Sequence, residues 1–299
     1  MKLKTLLALS IISLLSIGCY KDPDDSKHLN LRDDFTINDT LSLGSGKTAN
    51  IVLLYGQSNA TGCSRVDYLI NTNKAAYDLY SQGFDNVFIN LNMENFSAHT
   101  DGFVKNTLTT GYDVIFGPEM GISEKVSSAF SNETFIIKYT YGGTTLHDQW
   151  LDGQGGRGGL YNHSMMFTIQ SLDYLLSKGY HLNFLGLCWM QGENDAVKGL
   201  KNYYDNTKAL VSYYREDLKI YTESLRFVDA YINQIWDGNN YVNDAKRRFS
   251  QESELNYVID TISLGLTTAH EPVEQPDIAH YDSQSMVLLG RAFGDALIQ

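Results

Sequence analysis

The chain has 299 residues, 43% of them hydrophobic and 19% charged, which is ample for one sizeable core and one or two domains. Its formal charge is −12, a surface that repels phosphate backbones and anionic headgroups and argues against nucleic acid as a partner. Lys2 and Lys4 precede an apolar run from Leu6 to Ile17, too short to span a bilayer, so the first 18 residues read as a signal peptide. Without those two lysines, 21 basic face 35 acidic residues, a charge of −14. Residues 19–48 are polar and acidic (Lys21-Asp-Pro-Asp-Asp25, Asp33-Asp34) and read as a tether, with extended structure near Phe35 to Leu43.

The domain is expected over 49–299. Ile51-Val-Leu-Leu-Tyr55 is an apolar run of the kind found in buried strands, broken by Gly56 and followed by Gln57-Ser-Asn-Ala-Thr-Gly62. A strand that ends in Gly and opens into small polar residues fits a βα turn at the carboxyl edge of a parallel sheet. Ser58 on such a turn is a candidate nucleophile, with backbone N–H groups beside it; Ser58 or Asn59 as a helix cap is the alternative. Asp67 to Ser81 carries a helical pattern, Asn86 to Leu91 a strand, and residues 92–116 a loop-rich stretch. Gly117 to Phe130 reads as a helix with Pro118 in its first turn.

Thr134 to Thr140 is the next strand, ending in Tyr141-Gly-Gly-Thr-Thr-Leu-His-Asp-Gln-Trp150. The glycine-rich loop from Gln154 to Gly159 lacks the spacing and basic residue of a phosphate loop. Tyr161 to Lys178 is an amphipathic helix. Leu182 to Met190 is a buried strand ending in Gln191-Gly-Glu-Asn-Asp195, and Val197 to Leu218 is helical. Strands at Ser224 to Ile232 and Tyr257 to Ile262 flank a charged helix, Asn243 to Glu254, and the helix Ser283 to Ile298 closes the chain. Strands alternating with helices five or six times predict an α/β fold, a three-layer sandwich around a doubly wound, mainly parallel sheet of five or six strands.

In a parallel sheet the polar clusters at Ser58, Gly142-Gly143 and Gln191 to Asp195 point to one edge and can converge. Asp277-Ile-Ala-His280 supplies a base: one turn apart, a carboxylate can fix the tautomer of a histidine and steady its charged form. His270-Glu271 competes in the same loop, and a solvated surface pair is the alternative for both. His28 lies in the tether, and His99, His163 and His181 have no acidic partner at a telling spacing. Cys63 and Cys188 can pair in an oxidising compartment or remain buried thiols; they make neither a disulfide framework nor a metal site.

Four segments resemble the SGNH hydrolases, in particular the sialate acetylesterase and acetylxylan esterase branch. They are Gly56-Gln-Ser-Asn59, Tyr141-Gly-Gly-Thr-Thr-Leu146 with Trp150, Trp189-Met-Gln-Gly-Glu-Asn-Asp195, and Asp277-Ile-Ala-His280 followed by Leu289-Gly290, in the family's order over residues 50–299. The resemblance implies a flavodoxin-like fold and a serine esterase that removes O-acetyl groups from carbohydrate without metal or organic cofactor. It implies a triad of Ser58, Asp277 and His280. It also implies an oxyanion hole from the Ser58 N–H, a backbone N–H of Gly142 or Gly143, and the side chain of Gln191. Gln57, Asn59, Glu193, His147 and Trp150 are the candidate substrate-binding residues; Glu193 and Asp195 are also read as holding loops. Rival readings are a carbohydrate-binding lipoprotein without catalysis, and a lipase or thioesterase acting on other acyl esters. Ser16-Ile-Gly-Cys19 resembles a bacterial lipoprotein signal, so Cys19 is expected to carry a lipid that tethers an exported protein to a membrane. An ordinary secretory peptide cut nearby is the alternative to that signal. The acidic stretch after Cys19 resembles surface-export signals of some Gram-negative lipoproteins, with a merely solvated tether as the alternative.

Overall fold

The computed structural model describes Leu29, Leu31, Arg32 and residues 34–299. The signal peptide, Cys19 and His28 lie outside the described residues.

Six parallel strands form the centre: β1 (Thr48–Gly56), β2 (Val87–Met93), β3 (Thr134–Thr140), β4 (His181–Met190), β5 (Phe227–Ala230) and β6 (Asn256–Ile259). They lie in the order β6-β5-β4-β1-β3-β2, and two-residue antiparallel strands, Ala98–His99 and Val104–Lys105, pair with β2. With β2 set aside, the remaining order is the flavodoxin-like one, first strand flanked by second and third, and β2 is an added strand at one side. The chain winds to one side of β1 for β2 and β3 and to the other for β4 to β6. The switch point therefore lies between β1 and β4, where open α/β sheets place their ligands.

Period-two alternation assigns the helices to the two faces. Tyr55 of β1 packs against Tyr214 and its hydroxyl meets Thr168, which puts α5 (Gly159–Ser177) and α7 (Tyr203–Asp217) on one face. On the opposite face, Lys138 of β3 bonds to Glu119 of α4 (Glu119–Ala129), and α9 (Ser283–Leu297) packs against α4. Strand β1 is buried from Ala49 to Gly56, which explains why it reads as a continuous apolar run without alternation.

Two expected helices are divided. The segment from Asp67 to Ser81 forms α2 (Val66–Thr72) and α3 (Lys74–Gln82), because the Asn73 side chain caps the second by accepting from Ala76 N. The segment from Val197 to Leu218 begins earlier, as α6 (Glu193–Val197), and resumes as α7 after a turn at Gly199. The charged helix α8 covers Asn239–Ser250. Residues 34–47 form no strand and do not hang free: Phe35 packs edge-on against Phe167, Thr40 Oγ1 donates to Phe103 O, and Asp39 pairs with Lys178. The tether reading does not describe this stretch.

Candidate active site

Gly56, Thr140 and Met190 stand side by side in register at the ends of β1, β3 and β4, so the three polar clusters open at one edge. The first turn is bracketed by glycines. A Cβ on Gly56, at φ +141°, would lie 2.0 Å from Met190 O; one on Gly62, at φ +86°, would lie 2.1 Å from the Gly117 Cα. Between them α1 (Ser58–Thr61) is one buried turn. Its N-cap is Gln57, which makes no side-chain cap bond, so neither Ser58 nor Asn59 serves as the cap. Asn59 instead ties the site together: Nδ2 donates to Glu193 Oε1 at 2.7 Å and Oδ1 accepts from Tyr281 N at 3.1 Å.

The fourth segment comes to this edge from the far end of the chain. His280 Nδ1 donates to Asp277 Oδ2 at 2.6 Å, and Asp277 Oδ1 also accepts from Ala279 N. That bond fixes the tautomer and leaves Nε2 unbonded among the described residues. Burial works to raise the Asp277 carboxyl, but the hydrogen bond and charge of His280 and the nearby backbone N–H groups outweigh it and hold the carboxyl below its ordinary value. The competing Glu271 turns to the start of α9, where it accepts from Ser283 N and Oγ, and His270 meets Thr267 Oγ1.

Ser58 and His280 line one narrow cavity of about 20 Å³, with Gln57, Gly143 and Glu193 in the same wall. Asn194, Val197, Trp236 and Ala279 complete it. A larger, open depression of about 920 Å³ lies at the opposite edge of the sheet, around Lys47, Asn86 and Glu133, and no histidine lines it.

Three expected site residues are placed differently. Gln191 is fully buried and its Nε2 donates to Asp195 Oδ2 (2.6 Å), Thr144 O (2.9 Å) and Gln57 Oε1 (3.1 Å), so it has no hydrogen left for an oxyanion. Trp150 is a core residue, edge-on to Trp189, its indole N–H donated to Thr144 Oγ1. His147 lies outside the cavity wall, where its Nδ1 accepts from Asn202 and Asn206. Of the two glycines, Gly142 donates its N–H to Asn95 Oδ1, while Gly143 lines the cavity with φ +72° and its carbonyl held by Asn194 Nδ2. Cys188 is a free buried thiol, pushed up by burial, so it does not pair with Cys63.

Buried charges hold the turns. Asp195 accepts from Leu146 N and His147 N and so pins the Gly142-Gly143 loop to the Gln191 turn. Burial, opposed by those bonds, pushes its carboxyl up to about 6. Lys138 Nζ donates to Thr61 O and Glu119 Oε2, both at 2.7 Å, fixing the end of α1. Lys246 Nζ donates to Gln191 O, Asp229 Oδ1 and Ala230 O, fixing the end of β4. Trp236, Lys138 and Lys246 are not among the residues expected at the site. A lysine inside the apolar strand Phe135-Ile-Ile-Lys-Tyr139 was a signal for the second; Trp236 sits in a polar loop with no motif around it.

With this geometry in hand, residues 48–299 match the family described as carbohydrate esterase, sialic acid-specific acetylesterase. The chain belongs to that family. It is a carbohydrate acetylesterase, with an acetylated carbohydrate as its substrate. No curated protein matches the sequence. Among solved structures, an Arabidopsis thaliana protein is similar at TM-score 0.60 and 19% identity, covering 83% of this chain and 97% of its own. NanS is similar at 0.60 and 15%, covering 87% and 98%. A carbohydrate acetylesterase from Xanthomonas citri is similar at 0.53 and 13%, covering 82% of this chain and 55% of its own. At these identities the likenesses establish the fold.

Proposed function

We propose that this acetylesterase works through an acyl-enzyme on Ser58, with His280 as base and Asp277 as its orienting acid. The observation that carries it is the meeting of Ser58 and His280, from opposite ends of the chain, on one cavity wall, with His280 Nδ1 already bonded to Asp277. His280 Nε2 takes the Ser58 proton as Oγ attacks the acetyl carbonyl. The imidazolium then gives that proton to the departing sugar oxygen, and water releases acetate by the reverse path.

The oxyanion rests on the backbone N–H groups of Ser58 and Gly143, each without a partner among the described residues. Gln57 supplies the side-chain donor expected of Gln191. It lines the cavity, and its Oε1 is held by Gln191 Nε2 and Gly192 N, which leaves its own NH₂ free to donate. The cavity between Ser58 and His280 is narrow, about 20 Å³, which disfavours a long acyl chain and with it the lipase reading.

Acetate release from p-nitrophenyl acetate by wild type and Ser58→Ala tests the mechanism. The expected loss is on the order of 10⁴–10⁶-fold; equal rates would discard the acyl-enzyme. A series of longer esters should be turned over progressively more slowly. The same reading places the enzyme outside the cytoplasm on a lipid attached to Cys19, supported by the Ser16-Ile-Gly-Cys19 segment alone. Cys19→Ser should release it from the membrane fraction of expressing bacteria.

A further inference from the structure

The Gly143 N–H assigned to the oxyanion lies on a pair of adjacent glycines, and glycine imposes no direction of its own on a backbone. The direction is imposed from outside. Gly142 N donates to Asn95 Oδ1 at 3.1 Å, Asn194 Nδ2 donates to Gly143 O at 2.6 Å, and Thr144 Oγ1 donates to Tyr141 O at 2.9 Å. The peptide that carries the Gly143 N–H therefore lies between two others, each tied to an asparagine side chain. The loop cannot shift without giving up one of those bonds.

Asn95 comes from outside the four segments that meet at the site. It stands on a 3₁₀ turn, Glu94–Phe96, directly after β2, the strand added at one side of the sheet. That turn is itself held. Glu94 Oε1 accepts from Asn92 Nδ2 at 2.7 Å and from the Tyr139 hydroxyl of β3 at 2.9 Å, and Glu94 Oε2 accepts from Arg32 N at 3.1 Å. Phe96 packs on Tyr112, with ring centroids 5.3 Å apart. Bonds to a carboxylate are among the stronger hydrogen bonds, and three of them give Asn95 a fixed base. An asparagine on a loose turn would follow the glycines; on this one it can hold them.

Resting on the acyl-enzyme mechanism above, we propose that Asn95 is a positioning residue for the oxyanion. It acts through the Gly142 N–H and not on the substrate, keeping the Gly143 N–H aimed at the oxygen that gains charge as Ser58 attacks. The added strand β2 thereby lends the active site part of the preorganisation that an oxyanion hole requires. The substrate carbonyl is neutral before attack, so the loss of Asn95 should fall on kcat and leave KM nearly alone.

The test compares Asn95→Leu, which keeps the bulk and removes the acceptor, with Asn95→Asp, which keeps an acceptor. On p-nitrophenyl acetate, Asn95→Leu should lower kcat by about 10–100-fold with KM within about threefold of wild type. Asn95→Asp should recover most of that loss. Methylboronic acid supplies the readout that a merely structural role would not move. Ser58 Oγ bonds to its boron and passes its proton to His280, giving a tetrahedral adduct, and Asn95→Leu should weaken its binding by about the factor lost in kcat. Asn95→Ala, read in the same way, serves if leucine disturbs the turn. A kcat within about threefold of wild type, a loss of kcat that leaves boronic acid binding unmoved, or an aspartate variant no better than leucine would each overturn the inference. Full activity in Ser58→Ala would instead remove the mechanism on which it rests.

Discussion

Ser58 stands on a turn anchored from three sides, whereas Asp277 and His280 stand on a long loop with few ties. The turn is buried throughout, its end is held by the Lys138–Glu119 pair, and its start continues the sheet through Gln57 N to Met190 O. In the loop, residues 272–275, Asp277 and Ile278 are exposed, and the Asp277 side chain keeps 55% of its surface in water. The loop is tied at its two ends, by Glu271 on Ser283 before the exposed stretch and, after it, by Asn59 Oδ1 and Ser64 Oγ on the backbone of Tyr281 and by the Asp282 cap of α9. An oxyanion hole works only if its donors are in place before charge develops, so the half proposed for that role is suited to the rigid sheet edge. The proposed acid–base pair needs one internal hydrogen bond and a few docking points, which a loop of low local stability can supply.

The contrast can be broken most directly at Asp277. Asp277→Asn should lower kcat on p-nitrophenyl acetate by on the order of 10⁴-fold, because the tautomer of His280 is no longer imposed, while the urea midpoint scarcely moves. A rate within tenfold of wild type would refute the role given to that carboxyl. Lys138→Met should do the reverse. It strands the Glu119 carboxylate in the interior and should cost about 3–5 kcal/mol of stability by urea unfolding. The exposed pair Lys74–Asp78, removed by Lys74→Met, should cost less than about 1 kcal/mol. Equal effects from the two lysines would erase the difference between cradle and surface.

Asn59→Ala removes the joint between the halves. We expect a loss of about 1–3 kcal/mol and faster hydrogen exchange at the Tyr281 amide, with the core strand β1 unchanged at equal stability. A further effect is electrostatic. Asp195 has an ordinary value of 3.8, raised in the fold to about 6. Its contribution is then complete below about pH 4 and lost as the pH rises through about 6. Unfolding of Asp195→Asn against wild type, followed from about pH 4 to about pH 7, should shift in the variant's favour as the pH rises and level off above about 6.

Much of this was legible in the residues. Apolar runs closed by Gly56 and by Tyr141-Gly-Gly143 marked strand ends, and strand Thr134–Thr140 was read to the residue. Spacing within one turn allowed the pairing of Asp277 with His280, and the family resemblance selected it over His270-Glu271. These are local properties, since strand burial, turn glycines and contacts three residues apart depend on neighbours in the chain. Asn73 hid the break between α2 and α3, because a side-chain cap inside an apolar period looks like a surface residue.

What only tertiary structure decided was the direction in which each polar side chain finds its partners. Gln57 and Gln191 are the same residue type at the ends of neighbouring strands, and either could donate to an oxyanion. Burial against Thr144 and Asp195 occupies the amide of one, and the cavity receives the other. The aromatic Trp150 fell to the core and Trp236 to the cavity for the same reason: contact across the sheet edge is made by segments far apart in sequence, and no pattern within either segment encodes it.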